Sequence, residues 1–490
     1  MSSDHSPQDI RKGLTHPVID GDGHWIEYTP VFAEKMRKVV GDLGANGFIQ
    51  SQRRIPDALE LTTEERKARG VAMEGFWGRQ SVNTRDRATA MMPRMFYDRL
   101  DELGIDYGIV YPTAGLGIPR IADDATRRAV IRGFNIVTHD YFKDLSDKLT
   151  PAAVIPVYTP DEAIEELEFV TKQLGSKVCM FGSGVRRPIA HAKGASADVA
   201  KYAQGFDQLG IDSDHDYDPV WQKCRELGIA PTFHTGGRGY GERMSPSNFT
   251  FNHIGHFAAA GHNVAKALFL GGVTRRFPDL RFAFLEGGVG WGCQLFCDLI
   301  EHWERRGKQG LERMDPTKLN RQLLREMVGK YGYEDIAAEL DERDGWPLKE
   351  EDALVGGVPL DDYWACNITQ KQDWIDLYAT PYYFGCEADD RMNAVAFGKT
   401  MPLGARINAI YSSDIGHFDV MDMRDPLPEA FELVEHGFIS QDDFRDFTFA
   451  NAVRLWGTQN PRFFEGTPVA KEAASVLAAS TLPKLQDAAK

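Results

Sequence analysis

A (β/α)8 barrel with insertions is the fold class that this sequence predicts. Apolar runs of strand length alternate with helical patterns along the chain, and eight such runs can be counted. Helical segments such as DEAIEELEFVTKQLG (161–175) and PVWQKCRELG (219–228) close on a glycine, the usual C-terminal cap. Four of the runs end in His, Asp or Glu, where a barrel of this kind gathers its chemistry.

In chain order, the first strand is expected within HPVIDGDGHWIE, from Pro17 to Asp22. GIDYGIVYPT (104–113), AAVIPVY (152–158), KVCMFG (177–182) and GIAPTFH (228–234) follow. LRFAFLEGG (280–288), a weaker run YYFGCEAD (382–389) and INAIYSSD (407–414) complete the eight. A doubly wound open sheet is the alternative, but it needs no eighth strand ending in an acidic residue. Residues 1–15 are expected as a flexible arm, 16–460 as one barrel domain and 461–490 as a tail. Two stretches exceed the minimal repeat, at about 40–95 and 305–380. These are expected as insertions after strands 1 and 6, with ALELTTEERKARG (58–70) helical.

The 490 residues carry 56 Lys and Arg against 72 Asp and Glu, a net charge of −16, which suits neither nucleic acid nor an anionic membrane. A small-molecule substrate is expected instead, and a homodimer is compatible. The six cysteines form no C-x-x-C pair and no disulfide framework. Cys293 and Cys297, one helical turn apart, are read as an apolar helix face. The N-terminus is polar and no apolar stretch is long enough to span a bilayer, so a cytoplasmic location is the expectation.

On a regular strand Asp20, Asp22 and His24 share one face. They can hold a metal or cap the turn that follows. Strand 5 ends at His234, strand 6 at Glu286 and strand 8 at Asp414. Each alone has a structural alternative as a cap, a loop start or a salt-bridge partner. Together, two imidazoles and the carboxylates of Asp22 and Asp414 suit Zn²⁺, Mn²⁺ or Fe²⁺ in a mixed N/O site.

The segments VIDGDGH, GIDYGIVYPT, LGIAPTFHTGG, RRFPDLRFAFLEGGVGW, YSSDIGHFD and FANAVRLWG span Val18 to Gly457. In them the chain resembles the amidohydrolase superfamily, in the metal-dependent branch that includes aminocarboxymuconate semialdehyde decarboxylase. The resemblance implies metal ligation by Asp22, His24, His234 and Asp414, with Asp22 standing where the family usually has a histidine. It places Glu286 where the family has its catalytic histidine. Glutamate has the lower solution pKa and is the weaker base unless burial raises it. It can instead bind the metal. Zn²⁺ is the leading ion and Mn²⁺ the alternative.

Asp414 is expected to take a proton from water, with Glu286 and either His417 or His256 protonating the leaving group. His253 and His256, at i and i+3, are expected on one helix face. Substrate contacts are assigned to Arg186, Trp25, Trp291 and His253, with salt bridges and core packing as their alternatives. Glu27 can reach the metal if the chain turns, and Asp419 lies close to His417 in sequence. GRGYG (237–241) lacks a P-loop Lys-Ser/Thr and no Rossmann spacing follows strand 1, so NAD is not expected. The activity implied is hydrolysis through metal-activated water. The alternatives are a non-oxidative decarboxylase of an aromatic or unsaturated acid and, last, a barrel that binds ligand without turnover.

Overall fold

The computed structural model describes residues 5–75, 82–194, 196, 203–234, 244–314, 318–336, 338 and 361–480. Eight parallel strands run in sequential order: β1 (Ile19–Trp25), β2 (Tyr107–Pro112), β3 (Leu149–Ile155), β4 (Val178–Phe181), β5 (Pro231–Phe233), β6 (Phe282–Phe284), β7 (Tyr382–Cys386) and β8 (Asn408–Tyr411). Each of the eight predicted runs overlaps one strand. β3 starts three residues earlier than expected and stops before Pro156, which has no N–H to extend a ladder.

The sheet is nearly closed. Just beyond β8, Asp414 donates its N–H to the Asp22 carbonyl at 3.1 Å, and His24 donates to the Ile415 carbonyl at 2.7 Å. The pairing of β1 with β2 slips between Asp20 and Gly23. A Cβ at Gly21 would come within 2.6 Å of the Ile410 side chain, so glycine lets the two strands approach here. Asp20 is thereby turned to the β1–β8 seam. Its carboxylate accepts from Ser413 N at 2.9 Å, Ser413 Oγ at 2.5 Å and Asp22 N at 3.2 Å. The expectation that Asp20 shares its surroundings with Asp22 and His24 is corrected by this bulge.

Helices cover the barrel. Thr159 and Glu162 form a capping box at the start of the helix Pro160–Lys172, and Gly228, at φ 68°, caps Asp218–Leu227. An antiparallel hairpin of Val185–Pro188 and Gln204–Asp207 follows β4. The insertion after β1 contains the helix Thr63–Arg69, ended by Gly70, and the helix Thr84–Met91. Within the insertion after β6, the helix Arg321–Lys330 buries none of its residues. GRGYG, and the stretch 341–360 of that second insertion, lie outside the described residues. No helix among the described residues is long and apolar enough to cross a membrane.

The ends of the chain differ from expectation. Residues Pro7–Gly13 form a helix rather than a loose arm. Ile10 is buried and Arg11 pairs with Asp106 through both Nε and Nη2. The helix Ala470–Ala479 buries Ala473 and Val476, behind the buried rings of Phe463 and Phe464. Cys293 is buried on the helix Gly290–Arg306, and burial pushes its thiol up to about 12, as suits an apolar face.

His16 lies between these ends. Its Nε2 reaches Thr448 Oγ1 at 3.0 Å, and that hydroxyl donates to the Phe444 carbonyl at 2.8 Å, so His16 is the donor. Burial, helped by Arg445 and Arg11, lowers its pKa to about 4. The unfolded chain therefore binds a proton between pH 6.5 and 4 that the folded chain refuses, and stability falls as pH drops through that window. Urea denaturation of His16→Gln should show a shallower loss over that window than wild type. Parallel pH profiles would remove His16 as the cause.

Candidate metal centre

The C-terminal ends of β1, β5, β6 and β8 place Asp22, His24, His234, Glu286 and Asp414 in one buried cluster. His234 Nε2 lies 3.4 Å from Asp22 Oδ1, 3.1 Å from Glu286 Oε2 and 3.1 Å from His24 Nε2. His24 Nε2 lies 3.5 Å from Asp22 Oδ1, 3.8 Å from Glu286 Oε2 and 3.6 Å from Asp414 Oδ1.

These distances decide between ion pairing and ligation. A charge-assisted hydrogen bond draws N and O to about 2.7–2.9 Å. Donors about 2.1 Å from one divalent ion sit roughly 3.0 Å apart at right angles and roughly 3.4 Å apart in a tetrahedron. Most of the spacings match donors around an ion. Asp22 Oδ1, Glu286 Oε2 and Asp414 Oδ2 are buried without a hydrogen-bond partner among the described residues. Oxygens in that state are costly unless a cation meets them. The donor set fits a divalent metal.

Burial raises Asp22, with His234 opposing, and raises Glu286 to about 7. It raises Asp414 well above the carboxylate range, helped by Glu286 and Asp419. His24 is held well below 6.5 by burial and by His417 and His234, so its approaches to carboxylates are not ion pairs. Burial would lower His234 too, but Asp22 and Glu286 hold it up at about 10. One imidazole is thus neutral and the other shares its charge with two carboxylates.

Glu286 (φ 56°) and Asp414 (φ 50°) both occupy the left-handed backbone region. For residues with a side chain this costs about 1–2 kcal/mol each, and such strain gathers where function holds it.

His417 stands beside the cluster. Its Nδ1 is 2.6 Å from Asp414 Oδ1, its Nε2 is 3.2 Å from Thr113 Oγ1, and its ring stacks on His24. His256 is buried, and its Nδ1 donates to the His253 carbonyl at 2.6 Å. His253 and His256 belong to two helices, Phe249–His253 and His256–Leu270, because Gly255 at φ 70° breaks the expected single one. Their rings still lie 4.8 Å apart, and both line a cavity of about 230 Å³ with Thr113, Phe257, Glu286 and His417. A second cavity shares Glu286 and His253 and is walled by Phe249, Trp291 and Glu387.

Two expected substrate contacts lie elsewhere. Trp25 packs in the core against Phe32, Tyr141 and Phe142, since it follows His24 on β1 and so points to the opposite face of the sheet. Arg186 is exposed on the hairpin and lines neither cavity. Its neighbour Arg187 is engaged by Asp207 at 2.6 Å and by Tyr217 OH at 2.9 Å. Glu27 accepts from Ala114 N at 2.8 Å and is absent from both candidate ligand groups. Sequence reasoning passed over Thr113 and over Glu387, which burial raises to about 7. Both sit at the C-terminal ends of barrel strands, the signal that found the other residues.

No family model and no curated protein matches the chain. Among solved structures the chain is similar to an amidohydrolase from Mycobacterium avium subsp. paratuberculosis K-10. The identity is 16%, with 91% of this chain and 100% of that one covered, and the TM-score is 0.53. It is also similar to 2,6-dihydroxybenzoate decarboxylase from Rhizobium, at 14% identity over 90% of this chain and 99% of that one, with a TM-score of 0.45. A third is 5-carboxyvanillate decarboxylase from Novosphingobium aromaticivorans DSM 12444, complexed with manganese, at 12% identity over 90% and 96%, with a TM-score of 0.46. The likeness to the amidohydrolase is one of fold, and the other two fall below a TM-score of 0.5 and decide nothing. The barrel that the resemblance led one to expect is the architecture this chain shares with a solved amidohydrolase.

Proposed function

We propose that this chain is a metal-dependent hydrolase of a small substrate. The supporting observation is the convergence of five buried donors from four strand ends at ion-sharing distances. Asp22, His24, His234, Glu286 and Asp414 would hold the ion, which when bound lowers the pKa of water and polarises a carbonyl. Three of the five are carboxylates. Zn²⁺ prefers four mostly softer donors, so this set leans toward Mn²⁺ more than the sequence suggested.

Asp414 takes the proton of the attacking water. His256 donates from Nε2 to the leaving group, its Nδ1 being committed to His253. His253 and Trp291 contact the substrate from the cavity walls. Asp414→Asn keeps one oxygen but cannot take a proton, so kcat should fall roughly 10²–10⁴-fold. Elemental analysis should still find most of the metal. Equal loss of metal and turnover would remove the base role.

A decarboxylase acting on an aromatic acid is the second reading, favoured by the rings of Phe249, Phe257, Phe418 and Trp291 around the cavities. Oxygen from labelled water in the product marks hydrolysis; released carbon dioxide marks the lyase. Residues 16–460 act as one domain in this reading, on a cytoplasmic small molecule. The chain pairs with a second copy, a reading supported by Leu323, Met327 and Tyr331, exposed along one helix and its end. A concentration-independent monomer mass by light scattering would refute the pair.

A further inference from the structure

A third cavity, of about 230 Å³, opens on the flank of the barrel, away from the metal cluster. It lies between the last turn of the helix Asp124–Phe142, the first half of β3 and the loop 174–177 that leads into β4. Strands begin at this level, whereas the cluster sits where they end. We propose that this cavity binds a small organic carboxylate, its charged end between Lys143 and Lys177 and its apolar body against Phe142, Pro151 and Leu174. The site does not rest on the metal-dependent reading.

Charge is the first argument. The chain carries a net charge of −16, yet no Asp or Glu lines this cavity among the described residues. Its polar lining includes His139, Lys143, Lys177, Ser146 and Ser176. A concave site lined by one sign of charge gathers the opposite sign. His139 and Lys143 stand at the C-terminal end of a helix, where cations commonly answer the dipole. That account does not cover Lys177, which stands on the loop before β4. Lys177 is partly buried, and burial lowers its pKa. Its Nζ donates to the Phe463 carbonyl at 2.9 Å, which uses one of three N–H donors. A carboxylate would take the others and offset the desolvation of the ammonium. Lys143 meets Asp140 at 3.2 Å, an exposed pair that contributes little and yields readily to a ligand.

Shape is the second. Phe142, Pro151, Ala152 and Leu174 give the same space an apolar side. An inorganic anion would leave that side to water, whereas a carboxylate carrying a ring or short chain covers it. Thr138 also lines the cavity. It is 3% exposed, and its Oγ1 has no hydrogen-bond partner among the described residues. Its hydroxyl is a further donor for a ligand oxygen that penetrates to it.

The probe is benzoate, titrated into the full chain by isothermal titration calorimetry, with inorganic phosphate as the control anion. Benzoate should saturate the site and bind more tightly than phosphate. Lys177→Gln should weaken benzoate roughly 10–100-fold, the loss of one charge-assisted contact. Lys143→Gln carries the same expectation and serves if Lys177→Gln does not fold. The double variant His24→Ala, His234→Ala should retain benzoate, which separates this cavity from the barrel mouth. Unchanged affinity in both lysine variants, or loss of benzoate in the histidine double variant alone, would place the acid at the mouth and overturn the inference. Phosphate binding as tight as benzoate would overturn the organic carboxylate as the ligand. Absence of saturable binding would overturn the site itself and leave the metal-dependent reading untouched.

Discussion

The double variant His24→Ala, His234→Ala should purify with almost no metal, whereas wild type should carry it stoichiometrically. Both Nε2 atoms face Asp22 Oδ1 and Glu286 Oε2 at 3.1–3.8 Å, and each substitution removes a nitrogen that the proposed site needs. Loss of an outer partner alone typically lowers affinity 10–100-fold, so loss of two ligands should exceed roughly 100-fold. The carboxylates left behind are buried and would repel one another, so they cannot restore the site. Circular dichroism should stay close to wild type, because the strands themselves are built from other residues. Elemental analysis showing stoichiometric metal in the double variant would overturn the site.

The second large effect is on stability. Asp20→Ala should destabilise the fold by about 3 kcal/mol, since it leaves the buried N–H groups of Ser413 and Asp22 without their acceptor. Asp20→Asn should cost less than about 1 kcal/mol, because its amide can accept from those N–H groups and donate to Ser413 Oγ. The comparison isolates hydrogen bonding at the β1–β8 seam from charge. Asp20 is fully buried, and burial raises it to about 6, so the neutral amide is close to what the seam already favours. Urea denaturation measures both variants. Equal losses would mean that the carboxylate's charge, not its bonding pattern, holds the seam.

The donor residues were legible because a parallel barrel imposes a simple rule. Apolar runs mark strands, and whatever polar residue follows them arrives at one mouth. Asp22, His24, His234, Glu286 and Asp414 all came from that rule, and a glycine after a helical run marked the helix end at Gly228, whereas the helix before Gly175 stops earlier, at Lys172. The rule fails where a local irregularity changes direction. Alternation along an unbroken strand grouped Asp20 with Asp22 and His24, but the slip before Gly23 sends Asp20 to the seam. Residue type alone likewise could not show what Arg187 binds, because its partner Asp207 lies across the hairpin.

By itself the sequence determined the barrel, the strand ends and the kinds of donor they carry, since these follow from local periodicity and chain order. Tertiary structure alone decided which atoms face one another. The left-handed backbone at Glu286 and Asp414, the stacking of His417 on His24 and the contact of its Nε2 with Thr113 all join residues distant in sequence or fix dihedrals that packing dictates. Such contacts depend on distances of a few ångströms across the closed sheet, and no pattern of residue types encodes those.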